Sequence, residues 1–406
     1  MTMQNRSRIA AVTVVALAGV SAVRADLPPA PAGVATFVRE GVAFSTIGSP
    51  NNPAFAGDAQ HAGYPVQGRG SVPYIYALAR TEVTTGQWME FANAFSVLGG
   101  EFTQFAQPVL WGARLDPTYT GPGIKWALNT NQPRAADLPV WGISWREAAM
   151  YCNWLQNGRS SSPASLTHGA YETSTFGYPD GSSFNGFTDQ LVRSPGAQFW
   201  IPNLDEWIKS AFYDPAQNRW WKSHYQSDIA PVSGFPGEPG AQTSVGIPRH
   251  VSYDAYYIPL DAYGTQSAYG LLSTSGGPAE WFENAVGVVD ATGLPGYRLL
   301  TTGDTGVTDS DTIWMAGFSA DIPSANGYAT IRIATSIPAP STGFFMTFLW
   351  CILAKRKRKR NSSAESNRTD TEWREWVVAR IDCLCRMTPP IRSISRPLPP
   401  PRCVVS

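Results

Sequence analysis

The sequence predicts an α+β domain, low in regular secondary structure, with about three helices, twisted antiparallel strands and a core of large aromatic rings. Three observations carry that prediction. Aromatic residues are abundant (15 Trp, 16 Tyr, 18 Phe), and 37 Gly with 33 Pro interrupt the chain often. Charged residues make up only 15%, well under the usual quarter. Three segments are marked best, each joining a helix cap to apolar spacing near 3.6 residues.

The first helix follows Thr84 or Thr85 as N-cap: Trp88, Phe91, Ala92 and Phe95 recur on one face, and Gly99-Gly100 lies beyond its end. In the second, Ser144 and Glu147 form a capping box, so each side chain satisfies a free backbone N–H of the first turn. Ala148, Tyr151, Cys152 and Leu155 are its apolar face, and Asn157-Gly158 ends it. The third begins with Asn203 and Glu206 in the same relation, followed by Trp207, Ile208, Ala211 and Phe212. β-Branched and aromatic residues predict an early strand over Val34 to Ile47, and loose alternation predicts another over Ser71 to Arg80. Residues 159–198, rich in Ser, Gly and aromatics, read as a long surface excursion with room for a hairpin. Tyr269 to Ala285 reads as a run of bends too loose for helix or strand, yet too aromatic for a solvated linker.

The formal charge of zero hides an uneven distribution. Residues 26–340 hold 15 basic against 26 acidic side chains, whereas the two ends are basic. An acidic body argues against nucleic acid as a partner, since phosphate backbones need a basic face. Residues 1–25 read as a signal peptide: Arg6 and Arg8, the apolar run Ile9 to Val23, then Ala25 at the cut. Residues 26–33 are a Pro/Ala-rich linker, and 34–336 form the folded body. Residues 337–360 combine Pro338-Ala339-Pro340-Ser341, an apolar run and a block of Lys and Arg. That order resembles the PEP-CTERM sorting signal of bacterial exported proteins. Such signals stop at the basic block, and this chain continues through Asn361 to Ser406, read as a disordered tail of open status. The apolar run 343–354 is short for a spanning helix, which needs about 20 residues, and a plain membrane anchor is the other reading. Both readings place the body outside the cytoplasm, in the cell envelope or beyond it, with membrane contact through 343–354. Within that body Cys152 stands alone, so no disulfide can form there, and its place on an apolar helix face marks it as core.

Five blocks then fall into one order: Ala79–Phe95, Leu138–Leu155, Phe199–Pro215, Arg219–Trp221 and Tyr269–Ala285. The series resembles the formylglycine-generating enzyme, or sulfatase-modifying factor, family across roughly residues 34–336. The resemblance implies that family's variant of the C-type lectin fold. It also implies chemistry: relatives that oxidise a sulfatase cysteine to formylglycine do so with a cysteine pair that binds copper as thiolates, the soft ligands Cu(I) prefers. Here the corresponding region, Tyr297 to Thr335, contains neither Cys nor His. RLLTTGD (Arg298–Asp304) stands in place of the usual RGGSW block, and only Tyr328–Thr335 resembles the closing strand. Copper therefore has no ligands, and no catalytic residue is assigned. His61, His168, His224 and His250 are scattered without metal-ligand spacing.

One further site comes with the resemblance. In the family the loop equivalent to Tyr269–Ala285 holds calcium through oxygen ligands, as that hard cation prefers. Carried over by position, the ligands are Ser273, the carbonyls of Gly276 and Pro278, and Glu280; Ile258–Tyr263 resembles the stretch leading into them. The alternative is that Glu280 caps backbone amides while Trp281 fills the core. The expectation is an exported, envelope-associated domain that binds a protein or polysaccharide, or serves a structural role, without catalysing a reaction. A formylglycine-generating oxidoreductase and a carbohydrate-binding module, using Trp220, Trp221 and Tyr256 as stacking rings, are the competing readings.

Overall fold

The computed structural model describes residues 27–57, 66–245, 247, 257–301, 318–327 and 329–338. Contacts divide the chain into Met1–Ile337 and Pro338–Ser406, and every described element belongs to the first unit. The signal peptide, the apolar run 343–354, the basic block, the tail, His61, His250 and Tyr256 lie outside the described residues. Among the described residues, no helix is long and apolar enough to cross a membrane.

The early strand is a hairpin. β1 (Thr36–Arg39) and β2 (Val42–Ile47) pair antiparallel across Glu40 and Gly41, which both take positive φ, 48° and 73°. Two such residues in succession make the turn whose twist matches the strands, and Gly41 pays no steric cost there. β3 (Tyr76–Ala79) adds to β2, shorter than the Ser71–Arg80 expected.

α1 (Thr85–Ser96) is capped by Thr84, whose side chain accepts from the Gln87 amide while Gln87 returns a bond to the Thr84 N–H. β4 (Ala113–Leu115) and β5 (Trp126–Leu128) form a small ribbon against it. α2 (Trp145–Gln156) and α3 (Leu204–Phe212) carry the expected capping boxes on Ser144/Glu147 and Asn203/Glu206. All four predicted apolar residues of α1, and all four of α2, are buried.

Between α2 and α3 no hairpin forms among the described residues. Short 3-10 turns at Pro163–Leu166, Thr173–Thr175 and Ser183–Asn185 fold the excursion back on the domain, burying Tyr171 and Phe187 completely. Ser and Asp side chains make local turn bonds here, as Ser165 Oγ donates to the Ser162 carbonyl and Asp180 accepts from the Ser182 N–H, which offers the backbone an alternative to a strand ladder.

β6 (Phe199–Trp200) precedes α3, and β7 (Tyr213–Asp214) pairs with β8 (Arg219–Trp220) after it. The segment expected to be only bends becomes a strand halfway along: β9 (Ala279–Val289) begins directly after Pro278. It pairs antiparallel with β10 (Leu294–Thr301), which pairs with β11 (Phe318–Asp321). β12 (Ala329–Thr330) lies parallel to the start of β9, an exception to the antiparallel expectation. β13 (Ala334–Thr335) bridges β3 and β6, giving a sheet of order β1-β2-β3-β13-β6 beside one of order β11-β10-β9-β12.

The core is aromatic, as the composition implies. Trp88 stacks on Tyr151 at 5.2 Å between ring centres, and Phe91 meets Tyr151 edge-on at the same distance. Buried indoles need partners for their N–H groups. Trp88 donates to the Ala106 carbonyl, Trp145 to that of Phe282 and Trp281 to that of Ile143, at 2.9, 3.1 and 2.9 Å. The last two bonds tie β9 to the start of α2. The Pro/Ala-rich stretch also docks: Arg80 donates to the Pro28 carbonyl and Gln266 to that of Pro29.

Candidate functional site

The loop from Leu272 to Glu280 closes around a cation supplied by the chain itself. Arg332 lies between β12 and β13, where Ile331 and Ile333 hold it inside the core at 0% exposure. Its guanidinium forks onto Glu280, with Nε to Oε2 at 3.1 Å and Nη2 to Oε1 at 2.9 Å. Nη2 also reaches Glu82 Oε2 at 3.0 Å and the carbonyls of Leu272 and Ser273 at 3.1 and 3.0 Å. Nη1 donates to the Ala79 carbonyl at 3.1 Å. A planar guanidinium suits this task, since its donors leave in fixed directions toward several acceptors at once.

Both oxygens of Glu280 are engaged by the chain's own donors. Its Oε2 takes a further bond from Trp207 Nε1 at 2.9 Å, which joins the loop to α3. An ionised carboxylate offers about four lone-pair directions, and three N–H groups, Nε and Nη2 of Arg332 and Nε1 of Trp207, engage both oxygens, the Nε–H being shared between them. Its own N–H donates to Thr301 Oγ1 on β10.

The remaining candidate ligands support the loop from its other side. Ser273 adopts φ 50°, which turns its carbonyl onto Arg332. Gly276 sits at φ 73° against Ser244, and a Cβ there would lie 2.4 Å from Ser244 Oγ, so only glycine fits. Ser244 Oγ accepts from the Gly277 N–H, and Thr243 bonds Ser275. Pro278 is buried immediately before β9. Glu280 and the Ser273 carbonyl are therefore brought together on Arg332, while Gly276 and Pro278 shape the turn beside them.

Glu82 is the second carboxylate of this cluster. Burial pushes its carboxyl above the usual carboxylate range, against the pull of Arg332 and with a further push from Glu280. Arg332 itself is driven down by burial, and the two carboxylates more than offset this, leaving it above its ordinary value.

A second network lies alongside. Arg193 bridges Glu206 and Glu283, at 3.0 and 3.2 Å, and its guanidinium stacks 4.2 Å from the Trp200 ring centre. Glu206 also accepts from Tyr74 and Trp200 while it closes the cap of α3. Burial, offset by Arg193, raises Glu283 to about 7. Arg298, the arginine of the RLLTTGD block, is fully buried over Trp145 at 3.6 Å, donating to the carbonyls of Gln190, Leu191 and Glu283.

Sequence reasoning missed Arg332 and Glu82. The signal for the first was present: an arginine flanked by Ile331 and Ile333 in a strand-like run is a charge with no exposed face to occupy. The 250 residues separating Arg332 from Glu82 conceal their pairing.

Among the described residues, the thiol and imidazole groups are kept apart and largely packed away. Cys152 is fully buried in α2, and burial raises its thiol well above its ordinary value. His224 is buried and pushed down to about 3, and His168 is exposed and paired with Glu172. Among the described residues no group of three or more His, Cys, Asp or Glu side chains is placed to hold a metal. Two of the rings considered for sugar stacking are among the described residues: Trp220 packs on Phe55 and Tyr213, and Trp221 lies under the Arg219 guanidinium at 3.9 Å and bonds Asp214.

An aromatic α+β body with three capped helices, antiparallel sheets and a Gly-rich loop leading into a Glu-Trp strand defines a sulfatase-modifying-factor fold. The chain belongs to that family: the model for the sulfatase-modifying factor enzyme 1-like domain matches residues 57–334. Among solved structures the chain is similar to CarF, at 15% identity and TM-score 0.42, covering 73% of this chain and 99% of that one. It is similar to Treponema denticola variable protein 1 at the same identity and score, covering 75% and 99%. PvdO from Pseudomonas aeruginosa matches at 13% identity and TM-score 0.39, over 75% and 98%. No curated protein matches the chain.

Proposed function

We propose that this protein is an exported, envelope-associated member of the sulfatase-modifying factor family that binds a ligand or serves a structural role, and does not oxidise a sulfatase cysteine. One observation carries the reading. Residues 57–334, the family match, contain a single cysteine, Cys152, and it is packed at 0% exposure in the core. A thiolate pair for copper cannot be assembled from one sulfur, and a buried thiol pushed above its ordinary value is a poor ligand and nucleophile. Export rests on residues 1–25 and the PEP-CTERM-like pattern of 337–360. The partner expected in the envelope is a protein or a polysaccharide. A single-turnover assay tests the reading, with the whole protein, a sulfatase-type cysteine peptide, copper and oxygen. The expected result is unmodified peptide, and formylglycine formed in proportion to enzyme would establish the oxidoreductase reading instead.

A further inference from the structure

Calcium is what the resemblance implies for the Ser273–Glu280 loop, and the residues present do not fit it. A hard dication needs six to eight oxygen ligands at 2.3–2.6 Å with lone pairs to spare. Glu280 has little to spare: three N–H groups of Arg332 and Trp207 already engage both its oxygens. A guanidinium 2.9 Å from Oε1 would also stand against a second positive charge at the same carboxylate.

We propose that the Arg332 guanidinium is the resident cation of this loop, covalently supplied in place of a metal ion. Its surroundings have the character of a hard-cation shell. Every acceptor is oxygen, and they come from four separate stretches: the Ala79 carbonyl, Glu82, the Leu272 and Ser273 carbonyls, and Glu280. Those stretches belong to β3, the turn before α1, the Gly-rich loop and β9, so the guanidinium ties to the loop two elements that the implied calcium ligands do not include. Ser273 is consistent with the exchange. It contributes its backbone oxygen to Arg332 from a left-handed conformation, and a neutral hydroxyl suffices where the cation carries one charge. The consequence is a loop whose closure depends on the chain alone, insensitive to the calcium level outside the cell.

The experiment compares thermal melting of the purified protein in EDTA and in millimolar calcium chloride, with calcium content by elemental analysis and a Glu280→Gln variant alongside. The expected result is substoichiometric calcium and the same melting temperature in both media. One calcium per chain in the wild type, with a calcium-dependent rise in melting temperature that Glu280→Gln removes, would overturn the proposal. A rise that persists in Glu280→Gln places the ion elsewhere and supports it. Should Glu280→Gln fail to fold, the metal content and the paired melts of the wild type decide alone. The same protein can pass this test and fail the turnover assay, so the two readings stand or fall separately.

Discussion

Glu283 is a carboxyl kept in the core by three donors: the Tyr171 hydroxyl, the Arg193 N–H and the Arg193 guanidinium. Burial outweighs them and lifts it from 4.5 to about 7. The folded state therefore binds a proton that the unfolded chain has lost between those two values. Its contribution to stability is full below pH 4.5 and fades as pH rises to about 7, by at most about 1.4 kcal/mol per pH unit. His224 acts in the opposite sense through part of that range, since burial holds it neutral with a value near 3, and the fold gains as pH rises toward 6.5. Denaturant melts of the wild type and Glu283→Gln across pH 4.5 to 7 separate the two. Stability of the wild type should fall relative to the variant as pH rises, and parallel curves would contradict the assignment. Trp281 makes a simpler claim. It is fully buried with its N–H on Ile143, so Trp281→Ala should cost about 3–5 kcal/mol in chemical denaturation.

Helices are the elements whose beginnings were most legible. Thr84, Ser144 and Asn203 each announce a helix because a cap is a bond between residues three apart, written locally in the chain. Ser144→Ala removes the acceptor of the Glu147 amide and the partner of its carboxylate, and should destabilise the protein by about 1 kcal/mol while leaving its helix content unchanged by circular dichroism. Strands were less legible. β9 follows two glycines and a proline, and what makes it a strand is pairing with β10 on one side and β12 on the other. β10 is its hairpin neighbour, but β12, which pairs with the first residues of β9 after the Gly-rich turn, is not local. The 159–198 excursion misled for the related reason that Tyr171 and Phe187 are buried by elements far along the chain. Tyr171 packs edge-on against Trp145 and bonds Glu283, and Phe187 lies beneath the Arg298 guanidinium.

At the scale of the molecule, the aromatic, charge-poor composition and five ordered blocks were enough to read the fold class. The interior electrostatics were not. Arg332, Glu82, Glu280 and Trp207 meet only once both sheets and α3 are in place, and a single sequence records no such meeting. Placing charges in the core is costly unless each is paired, so removing one partner of this cluster should cost more than any surface ion pair of the domain, about 3–5 kcal/mol against 1 or less. The account as a whole holds that the family scaffold persists while its thiol chemistry does not. The reactivity of Cys152 tests this most directly, read by alkylation of the native protein and mass spectrometry of the peptide that contains it. Cysteines beyond the family match are resolved on separate peptides. The account predicts that Cys152 stays unmodified until denaturant unfolds the domain. Alkylation in the native state at the rate of a free, ionised thiol would contradict it.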